Sequence, residues 1–237
     1  MKERSQKKEL MDGPLDDPLE LHRNLEELVF INRFTANYPK TLRSLKKMIP
    51  DGQRELTVLD LGCGAGDWLW YVYKNLAPEL DSLHLIGLDI EPHAIEFARK
   101  NYPGLEGKVQ WECCSYRDFL AGEPRVDIAT ANLFCHHLTE EEISELLALL
   151  EEKCIRGFLI NDLERNPIAF YSIAILTRLF SRSRYTRNDA PLSVKRGFKK
   201  PEWKKLLKDA LNPGSMDWQI DSMWAFRHLI CARKNQG

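Results

Sequence analysis

The sequence predicts an α/β protein, a mostly parallel sheet with helices on both faces, closed by an antiparallel hairpin. Three observations predict it. Short β-type runs alternate with helical stretches from Leu56 to Leu163. A glycine-rich turn joins the first of these runs to the helix behind it. Two further β-type runs, Trp218 to Met223 and His228 to Ala232, sit either side of a short turn near the C-terminal end.

The elements follow in order. Met1 to Pro18 is polar, carries Pro14 and Pro18, and is expected to be a mobile arm without regular structure. From Leu19 to Phe34 apolar residues recur at helical spacing (Leu21, Leu25, Leu28, Ile31). A second helix follows Pro39 with Leu42, Leu45 and Met48, and stops at Pro50-Asp51-Gly52. Neither helix looks like part of a sheet, so residues 1–50 read as an arm and helical cap and residues 51–237 as the main domain. Strands are expected at Leu56 to Leu61, Leu83 to Ile90, Val109 to Cys113, Val126 to Leu133 and Gly157 to Leu163. Helices are expected from the glycine turn through Leu76, from Pro92 to Asn101 and from Glu140 to Glu152. A long helix from Pro167 to Phe180, a basic loop and a helix from Pro201 to Leu211 then lead into the closing hairpin.

Composition narrows the function. Lys and Arg (34) nearly balance Asp and Glu (35) over 237 residues, so overall charge gives no reason to expect a nucleic-acid partner. Ten basic residues do gather between Arg178 and Lys205, and the stretch reads as a solvated face. The six cysteines lack C-x-x-C spacing, and the charged start of the chain lacks the apolar core of a signal peptide. Reduced thiols and a cytoplasmic location are expected. Ile168 to Phe180 is interrupted by Ser172, Thr177 and Arg178 and is too short to span a bilayer. A peripheral membrane contact through the basic, amphipathic stretch Ile168 to Arg187 is compatible with that pattern.

The most informative stretch is Val58-Leu59-Asp60-Leu61-Gly62-Cys63-Gly64-Ala65-Gly66-Asp67. A buried strand runs into three glycines at alternate positions, where the backbone turns tightly and a ligand approaches without meeting a Cβ. The spacing is not the G-x-G-x-x-G of dinucleotide folds, and no Lys-Ser/Thr pair follows as in a P-loop, so a pyrophosphate ligand is disfavoured. Asp89 ends the second strand, 23 residues beyond Gly66, where a carboxylate accepts from both hydroxyls of a ribose.

With these residues the chain resembles the class I S-adenosylmethionine-dependent methyltransferases. The resemblance implies a Rossmann-like sheet of seven strands and S-adenosyl-L-methionine as cofactor. It implies that Asp60, Gly62, Cys63, Gly64, Gly66 and Asp67 hold the methionyl part and that Asp89, with neighbouring Ile90, grips the ribose. Residues after the third strand should meet the adenine. Where many relatives have aspartate this chain has Ser115, with Tyr116 placed to cover the ring and Asp118 a competing candidate.

The fourth strand ends Ala131-Asn132-Leu133-Phe134-Cys135-His136-His137. In the resembled family this segment passes beneath the transferring methyl and faces the acceptor, with Asn132 beside the cofactor. Either His136 or His137 is a candidate general base, because imidazole titrates near neutral pH. Successive side chains point apart, so only one is expected to face the pocket. No metal site is expected, since His136, His137 and distant acids such as Asp162 lack regular ligand spacing.

The runs Asn161-Asp162-Leu163-Glu164-Arg165 and Asp189-Ala190-Pro191-Leu192-Ser193-Val194, and the helix end Phe30-Ile31-Asn32-Arg33, resemble one bacterial subgroup. Its members are often encoded beside type III polyketide synthases. That resemblance implies a small-molecule acceptor, O-methylated on a phenolic, quinonoid or polyketide-like compound. Arg33, Asn161, Asp162 and Tyr171 are the candidate acceptor contacts. Two alternatives stay open: RNA methylation using the basic 178–205 stretch, and a cofactor-binding subunit without chemistry of its own.

Overall fold

A computed structural model describes residues 1, 3–13, 17–122 and 124–235. Seven strands form one sheet in the order β3-β2-β1-β4-β5-β7-β6. They are β1 (Glu55–Leu61), β2 (Ser82–Asp89), β3 (Val109–Cys113), β4 (Val126–Asn132), β5 (Cys154–Leu163), β6 (Met216–Met223) and β7 (Arg227–Lys234). β1 to β5 pair in parallel, and β7 pairs antiparallel with both β5 and β6. This is a Rossmann-like fold, with the antiparallel hairpin the sequence predicts.

The central strands are apolar because both faces are covered. Along β1, Leu59 and Leu61 enter one core while Leu56 and Val58 enter the other, the period-two alternation of a strand between two helical layers. Helices α3 (Asp67–Leu76), α4 (Pro92–Asn101), α5 (Tyr116–Ala121), α6 (Glu140–Lys153) and α9 (Lys200–Ala210) flank the sheet, with α6 against α9. Helix α6 carries a capping box: Thr139 accepts from the Glu142 N–H and the Glu142 carboxylate from the Thr139 N–H. The cap helices α1 (Pro18–Thr35) and α2 (Tyr38–Lys46) lie at the carboxyl ends of the strands together with α7 (Pro167–Phe180) and α8 (Arg184–Arg196).

The structure departs from the sequence expectation in several places, the unexpected helix α5 among them. The expected basic loop is helix α8, capped by the Ser183 side chain and continuing past Pro191. Strand β5 starts at Cys154, ahead of Gly157, whose φ of 132° belongs to a register shift against β4; a Cβ there would lie 2.0 Å from the Ala232 carbonyl oxygen. The N-terminal segment is fastened rather than free: Leu10–Asp12 forms a short 3-10 turn, and the Leu10 and Met11 N–H groups donate to Asp189 at 2.8 and 3.1 Å. Lys2 and residues 14–16 of that segment lie outside the described residues.

Candidate active site

β1 and β4 are neighbours at the point where the strand order reverses, and the crevice beyond their carboxyl ends is where open α/β sheets take ligands. A cavity of about 1170 Å3 opens there, larger than the roughly 300–1,000 Å3 typical of a single-ligand site, so it has room for two ligands at once.

The glycine turn forms one wall. Gly62, Gly64 and Gly66 all have left-handed φ values, 64°, 49° and 76°. Their surroundings differ. A Cβ on Gly62 would lie 2.5 Å from the Phe134 ring, and one on Gly66 would lie 3.0 Å from Ala98 Cβ and 3.1 Å from the Trp111 ring. Both are therefore required by packing. Gly64 has nothing within 4 Å of the same position; its missing side chain leaves space in the cavity, not in the core. The Gly64 N–H donates to Asp89 Oδ2 at 2.8 Å, and the Glu91 N–H to Asp89 Oδ1 at 2.9 Å. Each oxygen of this carboxylate thus takes one backbone donor and keeps accepting capacity, at a strand tip that lines the cavity.

Three acids surround the turn. Asp60 is buried, accepts from the Thr130 hydroxyl at 2.8 Å and from Asn132 Nδ2 at 3.4 Å, and is pushed up to about 8 by burial. Asp67 begins α3 and accepts from the Tyr38 hydroxyl at 2.8 Å. Burial also raises Asp67 and Asp89. All three line a cavity that holds more negative than positive groups at this end, which suits a cationic ligand group. Cys63 lines it too, and burial raises its thiol well above the usual range.

Ile90, Cys114, Ser115 and Tyr116 form the adjoining wall, with Ile90 74% exposed and Tyr116 packed edge-on against Phe134. Ser115 caps α5: its hydroxyl accepts from the Asp118 N–H and donates to the Asp118 carboxylate at 2.7 Å. Asp118 itself does not line the cavity, whereas Ser115 does. Asn132 and Leu133 also line it, and Leu133 is held at a φ of 54°, a strained position for a non-glycine residue at the lip of the site.

The far end is built from residues distant in sequence. Asp162, at the end of β5, accepts from the His136 N–H at 2.9 Å and pairs with His136 Nδ1 at 2.7 Å. Burial works to raise Asp162, but the His136 imidazole and the backbone donors outweigh it and hold the carboxyl below its usual range. His137 Nδ1 pairs with Asp12 at 2.8 Å. Asp12 is held well below its usual range, chiefly by His137 acting against burial. Glu9 sits between the two rings, accepts from the Ser193 hydroxyl at 2.9 Å, and is pushed up to about 7 by burial, with His137 opposing. Arg4 and Arg196 brace the assembly: Arg4 donates to the His136 and Leu138 carbonyls at 2.8 and 2.6 Å, and Arg196 to those of His136 and His137 at 2.9 and 2.7 Å.

Several expectations change. His136 and His137 both line the cavity, with ring centroids 4.2 Å apart, because Cys135–His137 is a 3-10 turn and not the strand that would aim them oppositely. The four candidate acceptor contacts do not line it. Arg33 and Tyr171 are exposed on the outer faces of α1 and α7, whose inward residues are Leu28, Ile31, Asn32 and Ile173, Leu176. The Asn161 amide is spent on the Ala36 carbonyl and the Thr41 hydroxyl. Asp162 acts through His136. The acid that meets both imidazoles on the cavity side is Glu9, and Glu9, His136 and His137 together are able to hold a metal ion. Sequence reading missed Arg4, Glu9, Asp12 and Arg196, which no periodicity or motif marks. Among the ten basic residues of 178–205, Arg196 is buried here and Arg187 is turned onto the Ser181 carbonyl.

Residues 58–153 match the family model described as a methyltransferase domain. Over 104 residues the chain is 30% identical to a ribosomal protein L11 methyltransferase of Paraburkholderia phymatum, a match covering 44% of this chain and 32% of that protein. A protein of the same name from Dechloromonas aromatica is 36% identical over 67 residues, 28% of this chain and 21% of its own. The chain therefore spans a third or less of the curated relatives it matches. Among solved structures, the plantazolicin methyltransferase BpumL, in complex with a pentazolic desmethylPZN analog and SAH, superposes with a TM-score of 0.60 at 22% identity, covering 91% of this chain and 86% of that one. An O-methyltransferase family 2 protein from Planctomyces limnophilus in complex with apigenin gives 0.62 at 14%, with 93% and 62% covered. Human N-acetylserotonin methyltransferase in complex with SAM gives 0.61 at 19%, with 95% and 61% covered. At these identities the likeness is one of fold.

Proposed function

We propose that the chain transfers a methyl group from S-adenosyl-L-methionine to a small-molecule acceptor, O-methylating a phenolic, quinonoid or polyketide-like compound. The observation that carries it is the pairing of Gly64, open to the cavity, with the Asp89 carboxylate that its N–H orients. The bound cofactor supplies a methyl already activated as a sulfonium, so the protein's work is binding and orientation. Asp89 accepts from the ribose hydroxyls, and Asp60 and Asp67 favour the amino-acid end, which carries an ammonium. Asn132, hydrogen-bonded to Asp60, borders the same space. Ile90, Ser115 and Tyr116 offer a largely apolar slot edged by hydroxyls for the adenine.

The rest of the cavity is the acceptor end. Leu25, Leu28, Val29, Ile173 and Leu176 give it apolar walls, suited to an aromatic or alkyl-bearing compound, and His136 and His137 stand at its polar pole. A phenol titrates near 10, so drawing off its proton assists transfer at neutral pH. The methyltransferase domain match supports this reading, as do an O-methyltransferase family 2 protein in complex with apigenin and an N-acetylserotonin methyltransferase among the structural neighbours. A peripheral membrane contact is a second reading. Ile168, Tyr171, Ile175, Leu179 and Phe180 are all more than half exposed on α7, next to Arg178 and Arg182. No helix among the described residues is long and apolar enough to cross a membrane.

Incubating the purified chain with methyl-labelled cofactor and a panel of phenols, hydroquinones and alkylresorcinols tests the reading. Label in an extractable product ether supports it. Cofactor binding without transfer to any hydroxyl acceptor refutes the acceptor class.

A further inference from the structure

We propose that Glu9, His136 and His137 form a binding site for one divalent transition-metal ion at the acceptor end of the cavity, with an open position for an oxygen of the acceptor. The proposal rests on the acceptor end assigned above and states how the two imidazoles act there.

The geometry starts from the rings. His136 Nδ1 faces Asp162 at 2.7 Å and His137 Nδ1 faces Asp12 at 2.8 Å. A carboxylate on Nδ1 fixes that nitrogen as the protonated one and leaves the Nε2 lone pair free, the arrangement that orients metal-ligating histidines. Both Nε2 atoms then turn to the same carboxylate. His136 Nε2 lies 3.8 Å from Glu9 Oε1 and His137 Nε2 lies 4.0 Å from Glu9 Oε2, and the three donor atoms fall within 4.8 Å of one another. Those separations are too long for hydrogen bonds. They are close to what an ion requires: bonds of about 2.0–2.2 Å place ligand atoms roughly 3.0–3.5 Å apart.

Charge agrees. Glu9, Asp12, Asp162 and Asp189 bring four carboxylates into this assembly, against the two guanidiniums of Arg4 and Arg196. With neutral imidazoles and ionised acids the balance is two negative charges, the complement of a divalent cation. The guanidiniums spend most of their donors on backbone carbonyls; Arg196 Nη1 also donates to Asp12 Oδ2 at 2.8 Å, and Arg196 Nε remains 4.0 Å from Glu9 Oε1. Two imidazole nitrogens and one carboxylate oxygen select zinc, iron(II) or cobalt(II) over magnesium or calcium, which prefer all-oxygen shells. Three protein ligands leave a coordination position, and all three residues line the cavity. An acceptor hydroxyl ligated there releases its proton to solvent. Its oxygen then forms the new bond to the methyl carbon while the sulfur keeps the electron pair of the bond that breaks.

The test uses the full chain, stripped with a chelator and dialysed. Zinc titration by calorimetry should give one equivalent per chain, and cobalt(II) should give visible ligand-field bands of a nitrogen/oxygen site, a readout that needs no variant. Glu9→Gln and His137→Ala should lose the tight site, and Asp12→Asn should weaken it by about 10–100-fold, with far-ultraviolet circular dichroism unchanged. Absence of a stoichiometric zinc site in the parent chain, or affinity unaltered in the Glu9→Gln/His137→Ala double variant, overturns the proposal. Titrating the cofactor product into the same metal-free sample separates the two readings: cofactor binding without zinc binding sinks only the metal site, and the converse sinks only the cofactor assignment.

Discussion

Gly64→Ala separates a glycine needed by the fold from one needed by a ligand. Its added methyl meets no protein atom within 4 Å, so the fold bears only the left-handed strain of φ 49°. That strain costs about 1–2 kcal/mol. For a chain of this length it lowers Tm by roughly 2–8 °C. The methyl does project into the space assigned to the cofactor. Crowding a packed contact by one methyl costs about 1–3 kcal/mol, which weakens binding by about 5–150-fold. Thermal unfolding by circular dichroism and calorimetric titration with S-adenosylhomocysteine measure the two effects on one sample. Gly62→Ala and Gly66→Ala are the controls: their methyls strike Phe134 at 2.5 Å and Ala98 at 3.0 Å, so they lose more Tm than Gly64→Ala. If Gly64→Ala binds within twofold of the parent chain while Tm falls as stated, the turn is not the ligand's cradle.

Three other predictions follow from the same geometry. Burial holds the Asp60 carboxyl at about 8 in the free protein, so it carries a proton at neutral pH; an incoming ammonium favours the ionised form, binding releases a proton, and affinity falls as pH drops below about 8. Calorimetry in buffers of different ionisation enthalpy reads that proton, and equal heats in all buffers would refute the assignment. His136→Ala should lower kcat by about 10²–10⁴-fold with affinity for the cofactor product unchanged; an unaltered kcat removes the imidazole from the acceptor end. The chain should co-sediment with vesicles rich in anionic lipid and not with neutral ones, and Leu179→Asp/Phe180→Asp should abolish this, because both side chains stand on the exposed apolar face of α7.

How much was legible in the sequence follows from where the physics is local. The parallel strands show themselves because burial on both faces makes them apolar runs, and the glycine turn shows itself because φ values near 50–75° demand glycine at fixed spacing. Helix α8 is hidden because its buried face is mostly polar: Thr186, Asp189, Ser193 and Arg196 recur at helical spacing, only Tyr185 and Val194 add apolar burial, and Pro191 reads as a break. Asp89 is legible because an acid ending the strand after a glycine turn is a local pattern, and the structure sets its carboxylate against the Gly64 N–H at the cavity. Glu9 and Asp12 are not, since they reach His136 and His137 across more than 120 residues of sequence from a segment without periodicity. Arg33 and Tyr171 err in helix phase: each neighbours inward residues in sequence, yet at 100° per residue it faces away.

The most direct test of the central claim is a calorimetric titration of the purified chain with S-adenosylhomocysteine, beside the variant Asp89→Ala. One saturable site per parent chain is the predicted result. The variant forfeits an ionised acceptor for two hydroxyls, worth about 1.5–3 kcal/mol each, so its binding should be at least about 100-fold weaker. No heat of binding from a folded parent chain, or equal affinity in the two proteins, contradicts the account.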